Sequence, residues 1–528
     1  MKIKKKFVGL TAALMIFGGG NFFMPNVQQT VCAATQTPRF TVEKANEFIN
    51  AHKAEVNQRW YPVYHIAAPA GWINDPNGFS YFNGEYHFFY QHYPYDTQWG
   101  PMHWGHVKSK DLAHWKHLPV ALAPDQKYDV DYTGGCFSGS GIVKDGKLYL
   151  IYTAHHETKD GKRTETQALA VSSDGINFEK SKKNPIIKVP KGNDFSAVDF
   201  RDPKVWEHDG KYYLIVGTKT TDNPSLGEIM FFESKDLEKW TYRGIAAKSK
   251  NADEGFMWEC PNFAEVDGKD VLILSPMLHA EDGKEAHKVV YAVGDMDYKA
   301  GKMSLGNFDL LDYGFDFYAP QVTQAPDGRC LMVGWMDTWD IPIVEKTSGD
   351  GWACMMTVPR ELHFKDGKII STPVKELESL RKNGKFYDNL NLDKQTQLDG
   401  VNGAVGEMIL NVDTNVSKSF KIRLRCSATE ETVLSYDDST RTFSVNRDKS
   451  GQGAGGVSQV QLAPNNNLKM QIFMDKSSVE VFLNDGEAVL SNRIYPKENS
   501  TDIVFDPAPN GKLKINQLAF YQLEKGLE

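Results

Sequence analysis

Cysteine is scarce in this chain, with six in 528 residues. Cys32 lies in an N-terminal stretch that reads as removable, which leaves Cys136, Cys260, Cys330, Cys354 and Cys426. An odd set at wide, irregular spacing is not a disulfide framework. No Cys-x-x-Cys pair is present, so a structural zinc site is not expected. Positive charge is not in excess either. The net charge of -8 speaks against nucleic acid or an anionic membrane surface as partner. Beyond the N-terminus no apolar run is long enough for a membrane span. His87, His92, His103, His106 and His114 cluster in sequence but lack a His-Glu-x-x-His spacing, so they are read as packing residues and no metal is expected.

The N-terminus itself reads as an export signal. Lys2, Lys4, Lys5 and Lys6 precede an apolar stretch, Phe7 to Phe17, that is too short to cross a bilayer. Small residues at Val31-Cys32-Ala33-Ala34 offer a cleavage site before Thr35, so residues 1–34 are taken as a signal peptide and the mature protein as secreted. Residues 35–60 carry one helical pattern, Val42 to Val56, with Phe48, Ile49 and Ala51 on one side. This is expected to be a leader helix.

What the chain has in quantity is aromatic rings, with 11 Trp, 22 Tyr and 29 Phe, and short strands parted by turns. Tyr86–Tyr90, Lys147–Tyr152 and Lys211–Val216 are strands of this kind, separated by Asp-Gly, Asn-Gly and Gly-Lys turns. An internal repeat runs through them. Ser109-Lys-Asp, Ser172-Ser-Asp and Ser234-Lys-Asp each precede an aromatic residue four positions on, at a period of roughly 60 residues. That length suits a four-stranded propeller blade with long loops.

Three carboxylates stand beside turn formers and proline: Asp75 in Gly71-Trp72-Ile73-Asn74-Asp75-Pro76-Asn77-Gly78, Asp202 in Phe200-Arg201-Asp202-Pro203, and Glu259 in Trp258-Glu259-Cys260-Pro261. Each alone reads as a tight turn. Together with Ser138 and Tyr318 they recur about 57 to 64 residues apart. Equivalent positions of successive blades face one central channel. Five such positions predict five blades, over residues 61–365.

These motifs, in this order, resemble glycoside hydrolase family 32, the family of invertases, sucrose-6-phosphate hydrolases, levanases and inulinases. The likeness extends from about Tyr64 to the end, through Phe89–Pro94, Trp99–His106, Cys136–Ser140, Asp312–Gln321 and Val479–Gly486. It implies an all-β chain: a five-bladed β-propeller, a connector at 366–395 and a C-terminal β-sandwich at 396–528. It implies a retaining β-fructofuranosidase acting on sucrose or fructans, without cofactor. Asp75 would be the nucleophile, Glu259 the acid/base and Asp202 the transition-state stabiliser. Such a pair of catalytic carboxyls should stand about 5 to 5.5 Å apart. By the same likeness Asn74, Gln91, Trp99, Phe137, Ser138, Arg201 and Trp335 bind the sugar; Trp72 is added as a member of the same stretch, with packing as its alternative, and Tyr318 on its spacing.

Local sequence suggests how the carboxyls divide the work. Glu259 stands between Trp258 and Cys260-Pro261, an apolar setting that would hold it in the acid form. Asp202 follows Arg201, whose charge would keep it ionised. Where the family has Asp after Cys-Pro, this chain has Asn262, a lost charge expected to act on Glu259. Fructosyl transfer on the same scaffold and a non-catalytic carbohydrate-binding role remain the alternatives, and a monomer or homodimer is expected.

Overall fold

The computed structural model describes residues 38–192, 194–280 and 285–528. The expected signal peptide lies outside them. Residues 39–528 form one compact unit. The helix spans Val42–His52, capped by Thr41, whose side chain accepts from the Lys44 N–H at 3.2 Å. Its inward residues are Ala45 and Ile49, one turn apart, rather than the Phe48, Ile49 and Ala51 side expected; Phe48 is half-buried and Ala51 exposed. The helix gives way to a 3-10 turn at Lys53–Glu55.

Five antiparallel sheets follow in chain order, then two more. The first strands of the five sheets are Gly71–Phe82, Thr133–Lys144, Phe195–His208, Met257–Val266 and Tyr318–Gln324. Each touches the next, and the fifth touches the first, so they close a ring. This is a five-bladed propeller with its inner strands around a channel. Trp352–Ala353 adds in parallel to Gly71–Trp72 and locks the end of the chain's circuit onto the first blade. Between blades the filling is apolar: Phe89, Trp104, Leu148 and Leu150 pack together, as do Phe200, Leu214, Val216 and Met230.

The Ser-x-Asp repeat has a structural counterpart. In three blades Ser109, Ser172 and Ser234 accept from the N–H of Asp111, Asp174 and Asp236, and each Asp caps two further N–H groups. The same turn therefore joins the third strand to the fourth in each.

The stretches read as turns around the carboxylates are strand. Gly71–Phe82 runs through Asn74-Asp75-Pro76 without a turn, and Phe195–His208 runs through Asp202-Pro203. Each inner strand instead breaks register at the equivalent place: between Ile73 and Pro76, Cys136 and Gly139, Glu259 and Asn262, Tyr318 and Gln321, and opposite Ile215/Gly217 for the third blade, while the first and third strands shift a second time, at Asn77/Ser80 and opposite Thr218/Thr220. These are β-bulges, which re-aim side chains. Proline fits them because a bulged residue has no ladder partner for an N–H. Asp202, Cys260 and Ala319 take positive φ of 67, 43 and 48° there.

Residues 366–395, expected as a connector, are mostly strand. Lys368–Pro373 is the outer strand of the fifth blade, Lys375–Leu380 is a 3-10 turn, and Arg381–Leu392 already pairs with Leu513–Leu523 in the sandwich. The sandwich packs a six-stranded sheet on a five-stranded one around Met408, Ile422, Phe443, Val481 and Phe505. Asn484 and Asp485, at φ 48 and 58°, make the tight hairpin read from Asn-Asp-Gly.

A buried ionic cluster joins sandwich to propeller. Arg360 reaches Asp312 at 2.9 Å and Glu480 at 2.7 Å, and His65 bridges Asp475 at 2.8 Å and Glu480 at 3.0 Å. Burial by itself lowers the His65 pKa, but the two carboxylates outweigh it and push it up to about 9. A raised folded pKa gives stability that is full below the free histidine value and is lost as pH rises through the folded one. The His65→Gln variant should therefore lose about 3 kcal/mol relative to the parent below pH ~6.5, and the gap should close above pH ~9, as read by denaturant unfolding across pH.

Candidate active site

The bulges bring the blades' equivalent residues to one end of the channel. A cavity of about 470 Å³ opens there, lined among others by Asn74, Asp75, Gln91, Trp99, Phe137, Ser138, Arg201, Asp202, Glu259 and Tyr318. Asp75 comes from the first blade, Asp202 from the third and Glu259 from the fourth.

Asp75 is held by short contacts. Ser138 Oγ donates to its Oδ2 at 2.5 Å and Asn74 Nδ2 to its Oδ1 at 2.9 Å, while Trp72 Nε1 fixes Asn74 Oδ1 at 2.8 Å. Burial raises the Asp75 pKa, and the Ser138 and Asn74 hydrogen bonds pull against that. The Cys260 thiol lies 3.5 Å from Asp75 Oδ2 and 3.6 Å from Asp202 Oδ2, so one small side chain touches both carboxylates.

Glu259 is not in an apolar setting. Trp258 is buried in the apolar packing between blades, the Cys260 thiol turns to Asp75 and Asp202, and the Glu259 carboxylate faces charge and hydroxyl. Arg201 Nε and Nη2 donate to Oε1 at 3.1 and 2.9 Å, and the Tyr318 hydroxyl lies 2.8 Å from Oε2. Arg201 also reaches Asp199 at 3.1 Å and Glu165 at 3.5 Å. The guanidinium thus serves three carboxylates, and its neighbour in sequence is none of them.

Asp202 is the converse. It was expected to stay ionised beside Arg201, but its pKa is pushed up to about 8 by burial; Arg201 lowers it, while the charges of Glu259 and Asp75 add repulsion. The Cys260 N–H donates to its Oδ2 at 2.9 Å, and Thr153 Oγ1 accepts from the Asp202 N–H at 2.9 Å. Sequence adjacency misled because the bulge at Asp202 turns the two side chains apart.

Trp72 and Trp335 are fully buried and do not line the cavity; Trp335 packs edge-on against Trp72 with ring centroids 6.1 Å apart. The indole at that wall is Trp339, stacked over Trp72 at 5.8 Å and 19°. Two tryptophans four positions apart give sequence reasoning no way to choose between them. Also missed were His155, Glu157, Arg163 and Glu165, which line the second blade's side. His155 and Glu165 are cross-strand partners with Nδ1 and Oε1 3.0 Å apart, and Phe137 stacks flat on His155 at 4.2 Å. Their signal was the unbroken polar run at 155–165 between two apolar strand segments.

The Asn262 side chain bonds to the backbone of two bulges. It is buried, its amide donates to the Cys260 carbonyl at 3.1 Å and the Pro320 carbonyl at 2.7 Å, and its oxygen accepts from the Val322 N–H at 3.2 Å. It ties the fourth blade's bulge to the fifth's.

With this geometry in hand, comparison with known proteins is unambiguous. Residues 65–373 match the Glycosyl hydrolases family 32 N-terminal domain, and residues 376–522 match the Glycosyl hydrolases family 32 C terminal. The chain belongs to glycoside hydrolase family 32 and is a glycoside hydrolase. It is 40% identical over 452 residues to a raffinose invertase of Escherichia coli, covering 84% of this chain and 91% of that one. It is 36% identical over 475 residues to a sucrose-6-phosphate hydrolase of Zymomonas mobilis, covering 85% and 90%. A Bombyx mori GH32 beta-fructofuranosidase superposes with a TM-score of 0.80 at 34% identity, covering 92% of this chain and 98% of that one, and a variant of that enzyme has been solved in complex with sucrose.

A buried carboxyl with a raised folded pKa destabilises as pH climbs between its free and folded values. The Asp202→Asn variant should therefore unfold at higher temperature than the parent at pH 9, by several degrees, with the difference gone near pH 4. A parent-like melting curve at pH 9 would contradict the burial of Asp202 as a source of strain.

Proposed function

We propose that the protein is a secreted, retaining β-fructofuranosidase that removes terminal, non-reducing fructosyl units from sucrose and fructans. The observation that carries this reading is the meeting of Asp75, Asp202 and Glu259 in one cavity on a family 32 scaffold. Asp75 attacks the anomeric carbon, and Glu259 gives its proton to the departing oxygen. The C–O bond to the leaving sugar breaks as the bond to Asp75 forms. Glu259 then takes a proton from water, which displaces Asp75 and frees fructose. Asp202 stabilises the oxocarbenium-like transition state and holds sugar hydroxyls. Ser138 and Asn74 aim the Asp75 carboxylate, and Arg201 with Tyr318 sets Glu259.

Charge favours an unphosphorylated sugar. The cavity lining holds five carboxylates (Asp75, Glu157, Glu165, Asp202, Glu259) against the guanidiniums of Arg163 and Arg201, and Arg201 is already engaged by two of them, Glu165 and Glu259, and by Asp199. An added phosphate would meet repulsion. The basic and apolar N-terminus supports export, and an exported enzyme would meet free sucrose and fructans.

The test is fructose release from sucrose, levan and inulin by the purified protein and by Asp75→Ala. We expect release by the parent and a loss of ~10³-fold or more in the variant. Fructose formed first should carry the β configuration by NMR; first-formed α-fructose would exclude a covalent fructosyl-enzyme.

A further inference from the structure

Three large aromatic side chains stand exposed at or beside the acidic cavity: Trp99, Trp339 and Tyr132, at 41%, 42% and 60%. Trp99 and Trp339 line the cavity. Tyr132 stands one step farther out, where its N–H donates at 3.1 Å to the carbonyl of Glu157, a lining residue. Holding a ring in water is unfavourable unless something covers it in use.

The segment that carries Tyr132 is firmly pinned. Asp129, fully buried, accepts from Lys180 Nζ at 2.6 Å and from the Gln126 N–H at 2.9 Å. Lys180 also reaches Asp125 at 2.9 Å and the Ala123 carbonyl at 2.6 Å. Val130 bridges Gly134 across the segment's base. The tyrosine is thus presented on a rigid mount, which lowers the ordering cost of binding.

Between Tyr132 and the carboxylates lies the second blade's wall. Phe137 is stacked on His155, and Trp99 stands edge-on to Phe137 at 5.9 Å. Glu157 and Arg163 face each other on neighbouring strands and offer an acceptor and donors to hydroxyls. A first leaving-group sugar set against this wall would end short of Tyr132, and a longer chain would extend as far as the ring.

We propose that Tyr132 is a specificity-determining residue, a stacking platform for a sugar beyond the first leaving-group unit, which makes the site prefer fructo-oligosaccharides to the disaccharide. This rests on the fructosidase reading above. The chemistry is the contact of a flat ring with the C–H face of a sugar, with the hydroxyl of Tyr132 dispensable.

The test measures kcat and KM on sucrose and on the fructan tetrasaccharide nystose for the parent, Tyr132→Ala and Tyr132→Phe. In Tyr132→Ala, kcat/KM on nystose should fall about 3- to 10-fold through KM, with sucrose kinetics within about 2-fold of the parent. Tyr132→Phe should match the parent on both. Equal losses on the two substrates, no loss on either, or a phenylalanine variant that behaves like alanine would each overturn the proposal. If instead the parent frees no fructose from sucrose or nystose, the fructosidase reading itself fails.

Discussion

The constraint on which the rest depends is closure of five inner strands into a ring with a bulge at the same level in each. A strand alternates its side chains, so an unbroken one could send only every second residue toward the channel. The bulge adds one residue and re-aims the next. Repeated around the ring, it turns residues from separate blades toward one end. Buried side chains fix one bulge to the next at this level. Asn77 Oδ1 accepts from the Gly139 N–H at 3.0 Å, and Ser140 Oγ donates to the Pro203 carbonyl at 2.7 Å. Asn262 spans the fourth and fifth blades, and Lys204 crosses from the third to the Val322 carbonyl of the fifth at 2.5 Å. A buried polar group satisfied this way specifies one arrangement, because breaking any tie leaves a donor or acceptor without a partner.

The site built on this ring is electrostatically uneven. Arg201 is committed to Glu259, Asp199 and Glu165, and leaves Asp202 buried with only a backbone N–H and a thiol for company. That arrangement costs stability at neutral and alkaline pH. Such groups are characteristic of sites whose charge is meant for a ligand rather than for the fold. The sandwich shows the contrasting use of buried charge. Arg360, His65, Asp312, Asp475 and Glu480 are mutually paired at its junction with the propeller. Glu480 belongs to the Val479–Gly486 motif, so a stretch that marks the family also joins the two parts of the unit.

The sequence carried much of this on its surface. The roughly 60-residue period, the proline after each carboxylate and the Asn-Asp-Gly hairpin each report a local backbone requirement, and local requirements are written in neighbouring residues. Errors arose where adjacency in sequence was taken for adjacency in space. Arg201 was assigned to Asp202 and serves Glu259. Glu259 was given the apolar character of Trp258, which packs between blades, and of Cys260, whose thiol turns to the other two carboxylates. Trp335 was named where Trp339 stands, and the connector was drawn through strands of both domains.

The sequence by itself determined the family, the all-β class, the blade count and the three carboxylates, because repeats, turn chemistry and motif order need no knowledge of distant contacts. Only the tertiary structure decided which charges pair, which indoles face the cavity, and that Asn262 is a tie between blades. Those outcomes depend on where bulges aim side chains and on which strands close against one another. Both are settled by packing between residues tens to hundreds of positions apart, which no local pattern encodes.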